Sequence, residues 1–367
     1  MTTLYLPDLG RNNFDALRFG LAALVIFSHS FALMSGTDAT EPLHRLTRGQ
    51  MASGELAVDG FFILSGFLVT YSWSKAPSVL PFFRKRISRI YPGFAVVTIL
   101  STLFLMPVAL GIPFGTFPDG LLRREGMALL TLRSHEPDGA FPELPFHAIN
   151  GSLWSIPFEA WCYVGVATLG LLGAIRNRKA VALILAGALA VSVAFLVWNL
   201  NPGLKWIGQL IGWPRLWARM LPYFLSGMVF YLYQDRIRYT TRGAILAVLA
   251  LVAASFVPRG WAVACPLAGA YLLFWCGFHP TVRLHNWAKY GDFSYGMYLY
   301  AYPIQQLILL KLRPGHPLVL LALSLPASVA MGALSWHGVE KWFLKRKRTP
   351  AAPATSAAAA PVPSPAS

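Results

Sequence analysis

Residues 14–35 read FDALRFGLAALVIFSHSFALMS. The segment has the length of a helix that crosses a bilayer, which takes about 20 mostly apolar residues. It lacks the basic start and the small-residue cleavage site of a signal peptide, so we expect it to remain in the protein as a transmembrane helix. It carries Arg18 and His29. Ionisable side chains are unfavourable in lipid, so their presence in a transmembrane helix indicates a function.

The composition of the whole chain agrees with this first segment. Of the 367 residues, 56% are hydrophobic and only 13% are charged, whereas soluble domains carry about 25% charged residues. These values exclude a soluble multidomain enzyme, a disordered chain, a collagen and a disulfide scaffold. Basic cytoplasmic loops explain the net charge of +16 better than nucleic-acid binding does, because Lys and Arg gather on the cytoplasmic side of membrane proteins.

Apolar runs of spanning length recur along the chain. They lie near residues 14–35, 56–75, 90–111, 152–175, 180–200, 214–233, 243–257, 261–279, 291–312 and 317–343. The sequence therefore predicts an all-α polytopic membrane protein, with about ten transmembrane helices that form a bundle around a lined passage. Residues 112–151 are too polar for a span, and their apolar patch at 126–132 is predicted either to be re-entrant or to lie on the membrane surface.

The distribution of basic residues predicts which side of the membrane each loop occupies. With the N-terminus inside, the cytoplasmic side collects 20 of the 31 Lys and Arg residues, as the positive-inside rule requires. Both termini are therefore predicted to be cytoplasmic. The transmembrane domain is predicted to cover residues 10–345, and the Ala/Pro/Ser-rich residues 349–367 are predicted to form a disordered tail.

The first helix is predicted to place two titratable groups on one face. Arg18 and His29 are eleven residues apart, which is almost three helical turns and about 16 Å along the axis. A cation near the inner surface with an imidazole above it suits a lined passage better than a lipid-facing wall. The alternative for His29 is a histidine that is simply hydrogen-bonded in the core.

Two further segments carry charge near the membrane surfaces. Asp59 is predicted at the outer end of the second helix, where Gly60 and Gly66 allow close helix packing. Arg86 and Arg89 are spaced i and i+3, so on a helix they point the same way and can hold phosphate oxygens in bidentate fashion. The alternative for the arginines is a plain basic loop that only sets the topology.

The fourth apolar run opens with polar residues at helical spacing. Ser152, Ser155 and Glu159 are predicted to form one polar stripe, and Trp154 lies among them. Pro157 is tolerated if it lies in the first turn. Glu159 is predicted at a depth similar to that of His29, where a carboxylate can hold the tautomer of a histidine base. The alternative is a buried Glu that pairs with an arginine of the bundle.

The order and spacing of these motifs resemble the acyltransferase 3 family, which consists of integral-membrane enzymes that transfer acyl groups, mostly acetyl, to cell-surface sugars. The resemblance rests on residues 18–29, 59–67, 86–92 and 152–159, and extends to 292–303 and 340–341. Many members have a histidine where this chain has Ala301, so among the residues of these motifs His29 is the sole candidate base in the predicted spans. The chain is expected to be the stand-alone form, without the esterase-like domain that is fused to some members.

The resemblance implies an acyl-CoA donor, most often acetyl-CoA, which enters from the cytoplasm as a substrate and not as a bound cofactor. The implied acceptor is a hydroxyl of a polysaccharide or of a lipid-linked oligosaccharide outside a bacterial inner membrane. The expected partners are these two substrates, the lipid bilayer and other glycan-assembly membrane proteins. No motif for a metal or for nucleic acid is present in the sequence.

The predicted site follows from these substrates. Arg18, Arg86 and Arg89 are predicted to bind the phosphates of acyl-CoA, while His29 acts as the general base and Glu159 orients it. The supporting residues are Asp59, Ser152, Trp154 and Ser155. The sequence leaves open whether transfer is direct or passes through an acyl-enzyme. The main alternative function is a polytopic transporter or a lipid or glycan permease, in which intramembrane charges also occur.

Overall fold

The computed structural model describes residues 11–133, 137–202, 208, 211–279 and 281–344. The labelled helices are α1 (Phe14–Ser35), α2 (Ser53–Lys75), α3 (Val79–Leu110), α4 (Leu121–Thr131), α5 (Ile156–Leu171), α6 (Arg178–Val197), α7 (Pro214–Leu232), α8 (Thr241–Ala254), α9 (Gly260–Gly277), α10 (Ser294–Leu312) and α11 (Pro317–Leu344). The predicted tail at 349–367 lies outside the described residues.

The predicted fold class is confirmed, since the described part of the chain contains helices and no strands. Each of the ten apolar runs coincides with one labelled helix.

Among the described residues, six helices are long and apolar enough to cross a membrane: α1, α2, α3, α6, α9 and α11. The chain is therefore a multi-pass membrane protein. The exact count of ten and the cytoplasmic position of both termini remain predictions. In the segment 112–151, α4 covers most of the apolar patch.

Helix α2 lies at the centre of the bundle. It packs along α7 on one side and along α1 on the other, and α1 in turn packs against α10 and α11. Most of the apolar core of α2 is buried, whereas α6 leaves large apolar side chains such as Leu183 and Val191 exposed. An exposed apolar face of this kind is what lipid covers, so α6 is positioned at the periphery of the bundle.

Glycines let α2 approach its neighbours closely. A Cβ added to Gly66 would lie 2.0 Å from the carbonyl oxygen of Phe224 in α7, and one added to Gly227 would lie 2.0 Å from that of Ile63. A Cβ added to Gly60 would lie 2.9 Å from the side chain of Leu21 in α1. The predicted packing role of Gly60 and Gly66 is confirmed, because neither position has room for a side chain.

A buried ion pair joins α2 to α7 beside this crossing. Arg219 lies 3.2 Å from the carboxylate of Asp59, whose side chain is fully buried, and 3.6 Å from that of Glu55. Sequence reasoning placed Asp59 at the outer end of α2 but did not identify Arg219, which is 160 residues away along the chain. The pair fixes the rotation of α2, which carries residues of both cavities described below.

We expect Arg219→Met to destabilise the protein by about 3–5 kcal/mol, because it leaves the Asp59 carboxylate buried without its cation. Thermal unfolding of the purified protein in detergent measures this effect. Adding Asp59→Asn to Arg219→Met should recover much of the loss, because the remaining side chain is then neutral.

Arg178→Met is the matched control for Arg219→Met. Arg178 pairs with Asp235 at 3.0 Å, but its carboxylate partner is 59% exposed, whereas that of Arg219 is fully buried. An exposed pair of this kind contributes little to stability, because water screens both charges. Equal losses of stability in Arg219→Met and Arg178→Met would contradict a structural role for the buried pair.

Candidate active site

A large cavity opens between α1, α2, α3, α5 and α10, and we call it the inner cavity. Its volume is about 690 Å³, which is within the range of small-molecule sites. In the part of the chain that the structure describes, five basic side chains line it: Arg18, Lys75, Lys85, Arg86 and Arg89. The three arginines predicted to act together therefore share one cavity. Glu159 is the acidic residue among its lining residues in the described part of the chain.

Asp292, just before α10, ties two of these arginines together. Arg89 donates a hydrogen bond to Asp292, and Arg18 lies 3.8 Å from the same carboxylate and 3.1 Å from Asp15. The Asp292 carboxylate is only 10% exposed, and the positive charges of Arg89 and Arg18 stabilise its negative charge there. Much of the charge of Arg18 and Arg89 is therefore compensated within the protein.

Arg86 is in a different situation. Its Nη2 is 3.4 Å from the hydroxyl of Ser72, and its guanidinium lies 5.9 Å from the ring of Phe82 and 5.8 Å from that of Tyr163. Its Nε is buried without a hydrogen-bond partner. In the described part of the chain Arg86 forms no ion pair with a carboxylate, so its charge is available to an anion that enters the cavity.

Glu159 projects into the inner cavity from the first turn of α5. The helix begins at Ile156, so Pro157 lies in its first turn, as predicted. The Glu159 carboxylate accepts hydrogen bonds from Ser65 at 2.8 Å and from Tyr163 at 2.7 Å. These two hydroxyls fix its position on the side of the cavity that faces Arg86.

A second cavity, the outer cavity, lies further along α1 and contains His29. Its volume is about 300 Å³, and Trp154 and Ser152 also line it. The Nδ1 of His29 is buried without a hydrogen-bond partner among the described residues, and the ring meets Tyr302 edge-on at 5.4 Å. The imidazole is therefore held by packing rather than by an orienting carboxylate.

Two carboxylates stand at the margin of the outer cavity. Asp38, from the loop after α1, and Glu55, from the first turn of α2, both line it. Burial and the nearby negative charge of Glu55 raise the pKa of Asp38. Trp154 therefore gives the outer cavity an aromatic surface, and the carboxylates of Asp38 and Glu55 give it hydrogen-bond acceptors.

The predicted contact between Glu159 and His29 is wrong. The two residues line different cavities, and the carboxylate of Glu159 is bonded to Ser65 and Tyr163 instead. The reason is that α5 starts only at Ile156, after a 3₁₀ turn over Leu153–Ser155. The expected stripe is therefore broken.

The break in the stripe divides its three members between the two cavities. Ser152, before the 3₁₀ turn, lines the outer cavity, whereas Ser155 and Glu159 line the inner one. Of the predicted site residues, the structure thus brings Arg18, Arg86, Arg89, Ser155 and Glu159 together in one cavity, and His29, Ser152 and Trp154 together in the other. Asp59 lines neither of these cavities and is paired with Arg219.

Among the described residues, two line both cavities, Val58 of α2 and Tyr298 of α10. The hydroxyl of Tyr298 lies 2.7 Å from that of Ser155 and donates a hydrogen bond to the backbone carbonyl of Ser152. Sequence reasoning recognised the segment 292–303 but assigned no role to Asp292 or Tyr298. Their value to the site comes from contacts with distant parts of the chain, which spacing along the sequence does not reveal.

A model of the acyltransferase 3 family, described as an acyltransferase domain, matches residues 11–337. The chain belongs to this family. It is therefore an acyltransferase, as the sequence motifs predicted, and the match covers nearly all of the described helices. No solved structure matches the chain.

Relatives of this acyltransferase are known in a phage and in bacteria. It is 28% identical to an O-acetyl transferase of Shigella phage Sf6 over 91% of this chain and 96% of that protein. It is 27% identical to nodulation protein 10 of Rhizobium leguminosarum bv. viciae over 91% of this chain and 94% of that protein. A shorter match, 30% identical over 30% of this chain, is to the acyltransferase MdmB of Streptomyces mycarofaciens.

Proposed function

We propose that this acyltransferase moves an acyl group, normally acetyl, from cytoplasmic acyl-CoA to a hydroxyl of an extracytoplasmic polysaccharide or lipid-linked sugar. The observation that carries the proposal is the pair of cavities along α1, a basic one at Arg18 and one that contains His29. The proposal includes ten spans in a bacterial inner membrane, with both termini in the cytoplasm and the inner cavity on that side. The O-acetyl transferase of phage Sf6 supports the choice of acetyl.

The inner cavity suits the donor because CoA carries several phosphate charges. Desolvated guanidinium groups bind phosphate strongly and with defined geometry. Arg86 supplies a cation without a carboxylate partner, while Arg18 and Arg89 add positive charge that Asp292 partly offsets. Lys75 and Lys85 also line the inner cavity and add two further positive charges. The pantetheine arm then extends from the phosphates toward Tyr298.

The outer cavity suits a sugar. The ring of Trp154 offers an apolar face, and the carboxylates of Asp38 and Glu55 accept hydrogen bonds from hydroxyl groups. His29 lies in the same cavity, eleven residues and about 16 Å beyond Arg18 along α1. A donor in the inner cavity and an acceptor in the outer cavity therefore meet at the wall between them.

The chemical step is a direct acyl transfer. The acceptor hydroxyl oxygen attacks the thioester carbonyl carbon, and His29 takes the hydroxyl proton as the new C–O bond forms. The C–S bond then breaks, and the imidazolium returns the proton to the departing sulfur, which gives the ester and free CoA thiol. General-base assistance contributes about 10²–10⁴-fold, so most of the remaining acceleration must come from holding the two substrates in place.

Membrane vesicles of defined orientation test the proposal. Acetyl-CoA with a labelled acetyl group does not cross membranes, so we expect labelled glycan when it is added to inside-out vesicles and none when it is added to intact spheroplasts. Vesicles without the protein are the control. Absence of transfer in inside-out vesicles that contain the acceptor glycan would contradict the proposed reaction. Equal transfer in the two preparations would contradict the proposed orientation.

A further inference from the structure

The inner and the outer cavity share part of their lining. In the described part of the chain, Val58 and Tyr298 are the residues that line both the inner and the outer cavity. Each is only 7% exposed. Any acyl group that leaves the inner cavity toward His29 therefore passes these two side chains.

Both side chains are held in place. The hydroxyl of Tyr298 is fixed by Ser155 and by the carbonyl of Ser152, and its ring packs edge-on against Phe61 at a centroid distance of 6.0 Å. Val58 precedes Asp59, whose buried pair with Arg219 fixes this turn of α2. A wall that is fixed on both sides discriminates by size, because packed side chains do not yield freely to larger groups.

We propose that Val58 and Tyr298 select the acyl group by its length. They leave a passage that admits a two-carbon acyl group to the reacting position, and they hold back longer chains. This inference rests on the proposed function, in which acyl-CoA occupies the inner cavity. A single methylene in an apolar pocket changes enzymatic selectivity about 10–200-fold, so a passage of this kind can decide between acetyl and propionyl groups.

Enlarging the passage tests the inference. Val58→Ala removes two methyl groups from the wall, and we expect the ratio of propionyl to acetyl transfer to rise about tenfold or more. The ratio of butyryl to acetyl transfer should rise as well. The measurement uses purified protein in lipid vesicles with acetyl-CoA, propionyl-CoA or butyryl-CoA and the same acceptor glycan, and it compares transfer per molecule of folded protein.

Tyr298→Phe is a second variant, which keeps the test decisive if Val58→Ala does not fold. It removes the hydroxyl that anchors the ring to Ser155 and Ser152 but keeps the ring itself, so we expect a smaller rise in the same ratio. Val166→Ala is the matched control, because Val166 is a buried valine of α5 that lines neither cavity. Its propionyl-to-acetyl ratio should equal that of wild type.

The outcomes separate this inference from the function on which it rests. If wild type transfers acetyl from CoA but Val58→Ala and Tyr298→Phe keep its propionyl-to-acetyl ratio, the inference about length selection is wrong and the proposed function stands. A rise of the same size in Val166→Ala also overturns the inference, because it would show a general loosening of the bundle. If wild type transfers no acyl group from any of the three donors, both proposals are wrong.

Discussion

His29→Ala is expected to remove acyl transfer while the amount of protein in the membrane stays near that of wild type. In the proposed reaction His29 accepts the proton of the attacking hydroxyl, and removing a general base costs about 10²–10⁴-fold in rate. The stability cost should be modest, because Nδ1 of His29 makes no hydrogen bond to the described residues. Binding of acyl-CoA in the other cavity should be retained.

His147→Ala provides the matched contrast to His29→Ala. The Nδ1 of His147 lies 3.2 Å from the carbonyl oxygen of Ala140 and 3.1 Å from that of Phe141, so this ring holds a loop and lines neither of the two cavities. We expect His147→Ala to lower the level of folded protein and to leave activity per surviving molecule normal. Quantitative immunoblotting and label transfer by purified protein measure both properties. Near-normal transfer by His29→Ala would rule out the proposed mechanism.

The pH dependence of transfer offers a second test of the same role. A general base must be neutral to accept a proton, so activity falls as the pH decreases through the pKa of the catalytic imidazole. We expect this acid limb in the wild-type rate at saturating acyl-CoA. In His29→Ala the residual rate should lack it. An unchanged acid limb in that variant would assign the titration to another group.

Local patterns along the sequence predicted local structure well. The spacing of Arg18 and His29 holds because α1 is one continuous helix from Phe14 to Ser35. The close approach at Gly66 also follows from a local signal, a small residue within an apolar run. Both predictions needed only helical geometry and the cost of burying charge in lipid.

The predictions that failed or were missing depend on where helices begin and on contacts across the bundle. The stripe through Ser152 and Glu159 required both residues to lie on one helix, but α5 begins only at Ile156, after a 3₁₀ turn over Leu153–Ser155. Arg89 pairs with Asp292 across 203 residues, and Asp59 with Arg219 across 160. Such pairs depend on which helices become neighbours, which one sequence does not specify.

Contacts across the bundle also change what is expected of Arg86 and Arg89, which are spaced i and i+3. By spacing alone Arg86 and Arg89 are equivalent phosphate ligands. In the described part of the structure Arg89 pairs with Asp292, whereas Arg86 forms no ion pair: the hydroxyl of Ser72 and two aromatic rings lie beside it. Glu159 lines the same cavity but is hydrogen-bonded to other residues. A partly buried guanidinium without a carboxylate partner is incompletely solvated, and a phosphate that enters the cavity compensates for this cost.

Arg86→Ala is therefore expected to weaken acyl-CoA binding about 10–100-fold, in line with the loss of one charge-assisted hydrogen bond at about 1.5–3 kcal/mol. The variant should also raise the KM for acetyl-CoA. Arg86→Lys should recover only part of the affinity, because an ammonium group cannot form the planar, two-pronged contact of a guanidinium. Binding of labelled CoA to purified protein measures the effect directly.

Arg84→Ala controls for the loss of one positive charge from the same turn of α3, since Arg84 is exposed and does not line the inner cavity. If the arginines serve only to orient the chain in the membrane, Arg84→Ala and Arg86→Ala should have equal and small effects on CoA affinity, and Arg86→Lys should be fully active. If Arg86 binds the donor, affinity falls only when its guanidinium is removed.

Because Arg89 is already paired, Arg89→Ala should instead lower the level of folded protein, since it leaves Asp292 with only the more distant Arg18 as a cation.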